Sequence, residues 1–153
     1  MQRAEFTRKT KPKDASQLRI AIVAARFNTD ITDSMIEGAL AALKEWGVNA
    51  SNTHVARVYG SFDLVFGCMK MIKQWKPDAV VALGCIIKGE TDHDRYIASA
   101  VSQGLIDLTL SSGVPISFGV ITANTLAQAK ARSRGKTNHG EKAAVAALEM
   151  ALL

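Results

Sequence analysis

Ala79-Val80-Val81-Ala82-Leu83-Gly84-Cys85-Ile86-Ile87-Lys88-Gly89-Glu90-Thr91-Asp92-His93 is the stretch on which the fold turns. Its first nine residues carry no charge and read as a strand buried in the middle of a sheet. The run stops at a lysine and a glycine, and a helical pattern opens at Asp92. Strand ends of this kind are where open α/β sheets hold their ligands. The turn can offer backbone N–H groups to an anion and set the imidazole of His93 beside it.

Moving outward, apolar runs and helical patterns alternate. Arg19–Ala25, Thr53–Val58 and Val114–Ile121 read as further strands. Ile31, Met35, Ala39, Leu43 and Trp46 make one helix face, and Gly47 stops it. Helices are also expected over Leu64–Trp75, Asp92–Leu110, Thr125–Ser133 and Gly140–Leu152, with an interruption of the third near Gly104. Four strands separated by helices imply a three-layer α/β/α sandwich around a four-stranded parallel sheet. A flavodoxin-like order, 2-1-3-4, with right-handed crossovers is expected.

The 153 residues suit one domain, with 48% apolar and 22% charged residues, ordinary for a globular protein. No apolar stretch approaches the roughly 20 residues of a bilayer span. The first 18 residues have no secretory pattern, so a cytoplasmic location is expected, with no membrane partner. Cys68 and Cys85 stand in apolar surroundings and read as buried free thiols of a reducing compartment. No His/Cys cluster has metal-ligand spacing, and no metal is expected. Residues 1–18 carry five cations against two carboxylates, a net +3 out of +5 for the chain. This segment reads as a flexible basic leader to a single domain over residues 19–153. Without interleaved aromatics, no nucleic-acid partner is expected.

In such a fold the loops after all four strands become neighbours. They are Arg26-Phe27-Asn28, Tyr59-Gly60-Ser61-Phe62-Asp63, Lys88–His93 and Thr122-Ala123-Asn124. Each has a plain reading as well. Phe27 could cap the core, Gly60–Asp63 could be a turn and a helix cap, and Glu90-Thr91 are common at helix starts. His93 could be a surface histidine, and Arg132 could favour a helix dipole.

Taken in order, the motifs carry more. They run Arg26-Phe27-Asn28, Gly60-Ser61-Phe62-Asp63, Leu83-Gly84-Cys85-Ile86-Ile87-Lys88-Gly89-Glu90-Thr91-x-His93, Gly113-Val114-Pro115-Ile116-x-Phe118-Gly119-Val120, Gln128-Ala129-x-x-Arg132 and Asn138-x-Gly140. The series from about Arg19 to Met150 resembles the 6,7-dimethyl-8-ribityllumazine synthases of riboflavin biosynthesis. The resemblance implies condensation of 5-amino-6-ribitylaminouracil with 3,4-dihydroxy-2-butanone 4-phosphate, releasing phosphate and water without a cofactor. It implies that Phe27 stacks on the pyrimidine, that Ser61, Phe62 and Asp63 meet the ribityl chain, and that Cys85, Ile86 and Ile87 line the pyrimidine pocket. Glu90 and Thr91 would meet the butanone phosphate, and His93 would transfer protons. Phe118 and Arg132 would enter the site from an adjacent subunit, the guanidinium pairing with phosphate. The resemblance further implies a homo-oligomer, a pentamer, and in many members twelve pentamers closed into an icosahedral sixty-subunit shell. The short segment from Arg132 to Asn138 is compatible with that shell.

The chain also departs from the family pattern. Both prolines of the second-strand loop are absent, Asp63 is one methylene shorter than the usual glutamate, and Tyr59, Val65 and Phe66 are bulkier or more apolar than a site rim needs. Asp94-Arg95-Tyr96 replaces an aromatic-acidic-Tyr run, and His139 and Lys142 replace a lysine and a glutamate. Two other readings stay open on these residues. One is a shell or pentamer subunit with a mainly structural role. The other is a flavin- or lumazine-binding protein.

Overall fold

A computed structural model describes residues 11–153, and in it the apolar run becomes strand β3, Ala79–Ile87, flanked on both sides. The other strands are β1 (Ile20–Ala25), β2 (Thr53–Val58) and β4 (Ile116–Ala123). The helices are α1 (Thr29–Glu45), α2 (Leu64–Trp75), α3 (His93–Ser112), α4 (Leu126–Ser133) and α5 (His139–Ala151). The sheet order is β2-β1-β3-β4 and every pairing is parallel, as the alternation of runs predicts.

Side chains alternate across the sheet and define two layers of core. Ile20, Ile22, Val81, Leu83 and Ile121 pack against α1 and α5 through Ile31, Met35, Leu43, Ala144 and Leu148. Ala21, Val23, Val80, Ala82 and Val120 pack on the other face against Leu64 and Cys68 of α2 and Val101 and Leu105 of α3. Each large aliphatic side chain taken fully out of water contributes roughly 1.5–3 kcal/mol before entropy. β3 is therefore apolar along its whole length, because it has no solvent face to spend polar residues on.

The observed bounds of β2, α2 and β3 coincide with the expected ones. β4 begins two residues late, after Pro115, which has no N–H to give a ladder and only accepts from Val80 N–H through its carbonyl. The expected break near Gly104 is absent, and α3 runs without interruption. There Gly104 serves packing: a Cβ on it would lie 2.8 Å from Val65 Cγ2 of α2. The break falls at Gly113, whose φ of 71° closes the helix with a hydrogen bond to Thr109 O. The ordered unit also begins before the expected boundary at Arg19. Ala15 is buried in the core and its N–H donates to Trp46 O at 2.9 Å, so the flexible leader does not extend to residue 18. Its first ten residues lie outside those described.

α5 lies on α1 through a contact between backbones. A Cβ on Gly140 would overlap the carbonyl of Met35. Substituting Gly140→Ala forces the two helices apart, and overpacking of this kind costs about 1–3 kcal/mol. Urea unfolding should show that loss as a lower midpoint with an unchanged slope.

Burial also sets a pH dependence. It pushes the Cys68 thiol up from 9.0 to about 12 and the Cys85 thiol up from 9.0 to about 11. Above pH 9 the unfolded chain releases these protons and the folded one keeps them, so stability falls as pH rises. Each thiol removes about 1.4 kcal/mol per pH unit in that window. Cys68→Ala should unfold with a shallower loss between about pH 9 and pH 11 than the parent protein, read by denaturant melts across that range.

Candidate functional site

Parallel pairing brings the four strand ends to one edge, and short backbone links fasten the loops to each other. Arg26 N–H donates to Val58 O at 2.8 Å, Phe27 N–H to Tyr59 O at 3.1 Å, and Lys88 N–H to Ala123 O at 2.9 Å. The first loop closes on Asn28, which takes the left-handed conformation at φ 61°. Asparagine tolerates that region better than most residues. Its Nδ2 donates to Cys85 O at 3.0 Å, binding the loop of β1 to the end of β3. The result holds Phe27 outward, 62% exposed, directly above the strand end where Cys85 and Ile86 are buried and Ile87 is half-buried.

The second loop is a 3₁₀ turn, Ser61–Asp63, in which Asp63 Oδ2 accepts from Gly60 N–H at 2.9 Å. Asp63 therefore braces its own loop. Ser61 is buried, its hydroxyl stands over Gly84, and among the described residues it has no hydrogen-bond partner. Phe62 points out instead, 65% exposed.

After β3, Lys88, Gly89, Glu90, Thr91 and His93 are all exposed. Thr91 Oγ1 accepts from His93 N–H at 3.4 Å, a weak turn that opens α3. This twenty-residue helix starts without a side-chain cap on Asp92, and the N–H groups of Arg95 and Tyr96 donate to Asp92 O at 3.0 and 3.4 Å. The His93 imidazole has no partner among the described residues and stands at the entrance of the helix.

Arg132 borders the end of β4. Its Nη1 donates to Gln128 O at 3.0 Å, and it lines an open polar depression of about 510 Å³ with Asp94, Arg95, Asn124 and Gln128. His93 is not part of that lining. Phe118 is half-exposed on the edge strand, paired with Ala82. Five residues separate it from the strand end at Ala123, roughly 16 Å along a β-strand. One copy of the chain thus brings Phe27, Phe62, Glu90, Thr91 and His93 to one edge; Arg132 borders the same edge beside the first turn of α3 and the end of β4, and Phe118 stands back along the edge strand. A second depression, of about 540 Å³, is apolar and lies between Leu40 and Val55 near the start of β2, at the opposite end of the sheet.

A sequence model of the 6,7-dimethyl-8-ribityllumazine synthase family matches residues 17–153. The chain belongs to that family. It is 41% identical over 138 residues to the 6,7-dimethyl-8-ribityllumazine synthase of Parabacteroides distasonis, covering 90% of this chain and 86% of the relative. The enzymes of the same name from Porphyromonas gingivalis and Halorhodospira halophila are each 43% identical to it. Those matches cover 88% and 86% of this chain, and 84% and 85% of the respective relatives.

Within the lumazine synthase family's motifs, two positions have a structural task that the sequence reading missed. Asn28 is one: an asparagine in the loop after a strand end is a signal for a left-handed turn. Asn138 is the other: buried, it caps α5 by accepting from Gly140 N–H at 2.8 Å and donates to Ser34 O of α1 at 2.9 Å. The carboxylate of Asp94 also lines the depression, and one of its oxygens is buried with no hydrogen-bond partner among the described residues.

Replacing Asn28 by alanine removes the bond to Cys85 O and leaves a Cβ strained at positive φ. The two effects together should cost about 2–3 kcal/mol. Asn28→Gly, which keeps the conformation, should recover roughly half of that. Thermal melts of the two variants, run beside the parent protein, check both values.

Proposed function

We propose that this protein condenses 5-amino-6-ribitylaminouracil with 3,4-dihydroxy-2-butanone 4-phosphate to 6,7-dimethyl-8-ribityllumazine, releasing phosphate and water and using no cofactor. One observation carries the reading. In a chain of this family, an outward aromatic, the exposed Lys88–His93 turn and an imidazole with no hydrogen-bond partner among the described residues share a single sheet edge. Phe27 stacks on the pyrimidine, and Cys85, Ile86 and Ile87 form the wall behind it. Burial keeps the Cys85 thiol protonated at neutral pH, so it serves as wall and not as nucleophile. Phe62 and Asp63 face the ribityl chain, while Ser61 shapes their loop from below. Glu90 and Thr91 present backbone N–H groups to the phosphate.

The amine nitrogen attacks the ketone, water leaves, and an imine forms. Loss of a proton beside the imine lets the phosphate depart with its C–O bond electrons, the enol left behind tautomerises to the second carbonyl, and the ribitylamino nitrogen closes the ring on it with loss of a second water. His93 shuttles the protons that these steps release and require. Holding two small reactants face to face supplies the larger share of the rate.

Arg132 and Phe118 complete the site from an adjacent copy. The position of Phe118, exposed on the edge strand five residues short of the strand end, supports this arrangement. The assembly is a pentamer, and the short segment between Arg132 and Asn138 suits closure into a sixty-subunit shell. Two unpaired buried thiols fit a reducing cytoplasm. Exposed Tyr59 and Phe66 on the rim favour a second reading, in which assembly is the main role and turnover is slight.

Mixing the purified protein with both substrates and following lumazine absorbance decides between them. Turnover above the spontaneous rate is expected, as is a particle of pentamer size or larger by light scattering. His93→Ala should slow turnover about 10²-fold or more without abolishing it. Arg132→Ala should mainly raise KM for the butanone phosphate. Near-parental kinetics in both variants would overturn the assignment.

A further inference from the structure

A second concentration of positive charge surrounds Arg132. Lys130, Arg132, Arg134, Lys136 and Lys142 stand against a single carboxylate, Glu141, a net +4 within thirteen residues of a chain whose total is +5. All but Arg132 are exposed. None is in an ion pair among the described residues, where Arg57 and Asp33 form the one pair.

The segment is also held in place. Gly135, at φ 56°, lets it fold back, and Thr137 Oγ1 donates to Arg134 O at 3.1 Å and to Ala131 O. Ser34 Oγ donates to Ser133 O at 2.8 Å, and Asn138 Nδ2 donates to Ser34 O at 2.9 Å. Ser34 lies in the second turn of α1, which begins directly after the Phe27 loop. The backbone that carries these cations is therefore tied to the second turn of α1, and through Arg132 it borders the end of β4.

We propose that Lys130, Arg134, Lys136 and Lys142 form an electrostatic collar that concentrates a dianionic phosphate monoester at the site mouth before Arg132 takes it. The proposal rests on the function given above and names how that substrate is gathered. A phosphate monoester carries nearly two charges at pH 7. Like-signed cations that are unpaired and rigidly placed raise the local concentration of such an ion. They do so over a Debye length of about 8 Å at physiological salt, so the effect is read as a salt dependence.

The test compares the parent protein with Lys130→Gln/Arg134→Gln/Lys136→Gln/Lys142→Gln between ionic strengths of about 0.02 and about 0.3 M. In the parent, KM for the butanone phosphate should rise about five-fold across that range, while KM for the ribitylaminouracil moves less than about two-fold. In the variant, the phosphate KM should start high and stay flat. The inhibition constant of inorganic phosphate should follow the same pattern. If the fourfold variant fails to assemble, the double variant Lys136→Gln/Lys142→Gln should show about half the loss of slope.

Equal salt slopes in parent and variant overturn the collar. So does a salt-dependent affinity for RNA that the variant loses while its substrate kinetics stay parental. Absence of turnover in the parent protein defeats the functional reading instead. Inorganic phosphate titrated calorimetrically into both proteins then still decides the collar, and equal affinities would sink it.

Discussion

Because β3 pairs in parallel with β1 on one side and β4 on the other, no strand can turn directly into the next. Each must cross back through a helix, and a helix must lie on each face to cover the sheet. The two layers of core, the burial of β3 on both faces and the gathering of all four strand ends at one edge follow from that single geometric fact. The site is a consequence of the same pairing. Phe27, Phe62 and His93 are far apart in sequence and come to the same edge only because parallel strands end together.

Small groups then tune the edge. Asn28 joins the first loop to the third by one side-chain hydrogen bond, and Asn138 joins α5 to α1 by another. Both use the asparagine amide in two capacities, to satisfy orphan backbone groups and to fix the angle of a chain reversal. Glycine has a complementary part at Gly104 and Gly140, where neighbouring helices approach too closely for a methyl group. These contacts cost little sequence and decide where the loops stand to within the precision that two reactants held face to face require.

Much of the fold was legible because a buried parallel strand has a distinctive composition. Ala79–Ile87, Leu64–Trp75 and Thr53–Val58 are bounded by residues that break their own pattern, and their limits came out as read. Gly104 was misread, since a glycine inside a helix signals a break in one context and a close approach in another. The leader was misread for a related reason. Ala15 is too small and too isolated among polar residues to announce that it is buried against Trp46. At the site, the motif order pointed to Phe27, the Glu90-Thr91 turn and His93, and the structure puts them on one edge. It also shows Asp63 bonded to its own loop and Ser61 beneath it, neither of which local sequence encodes.

The sequence alone determined the class of fold, the strand order and the family, since these rest on periodicity and on motifs that are contiguous along the chain. Which groups face one another was decided by the tertiary structure. Helical rotation turns Asp94 and Arg95 toward Arg132 while His93 lies outside that depression. Strand register leaves Phe118 several residues short of the edge. Both are three-dimensional facts of phase and register, which no single stretch of residues contains.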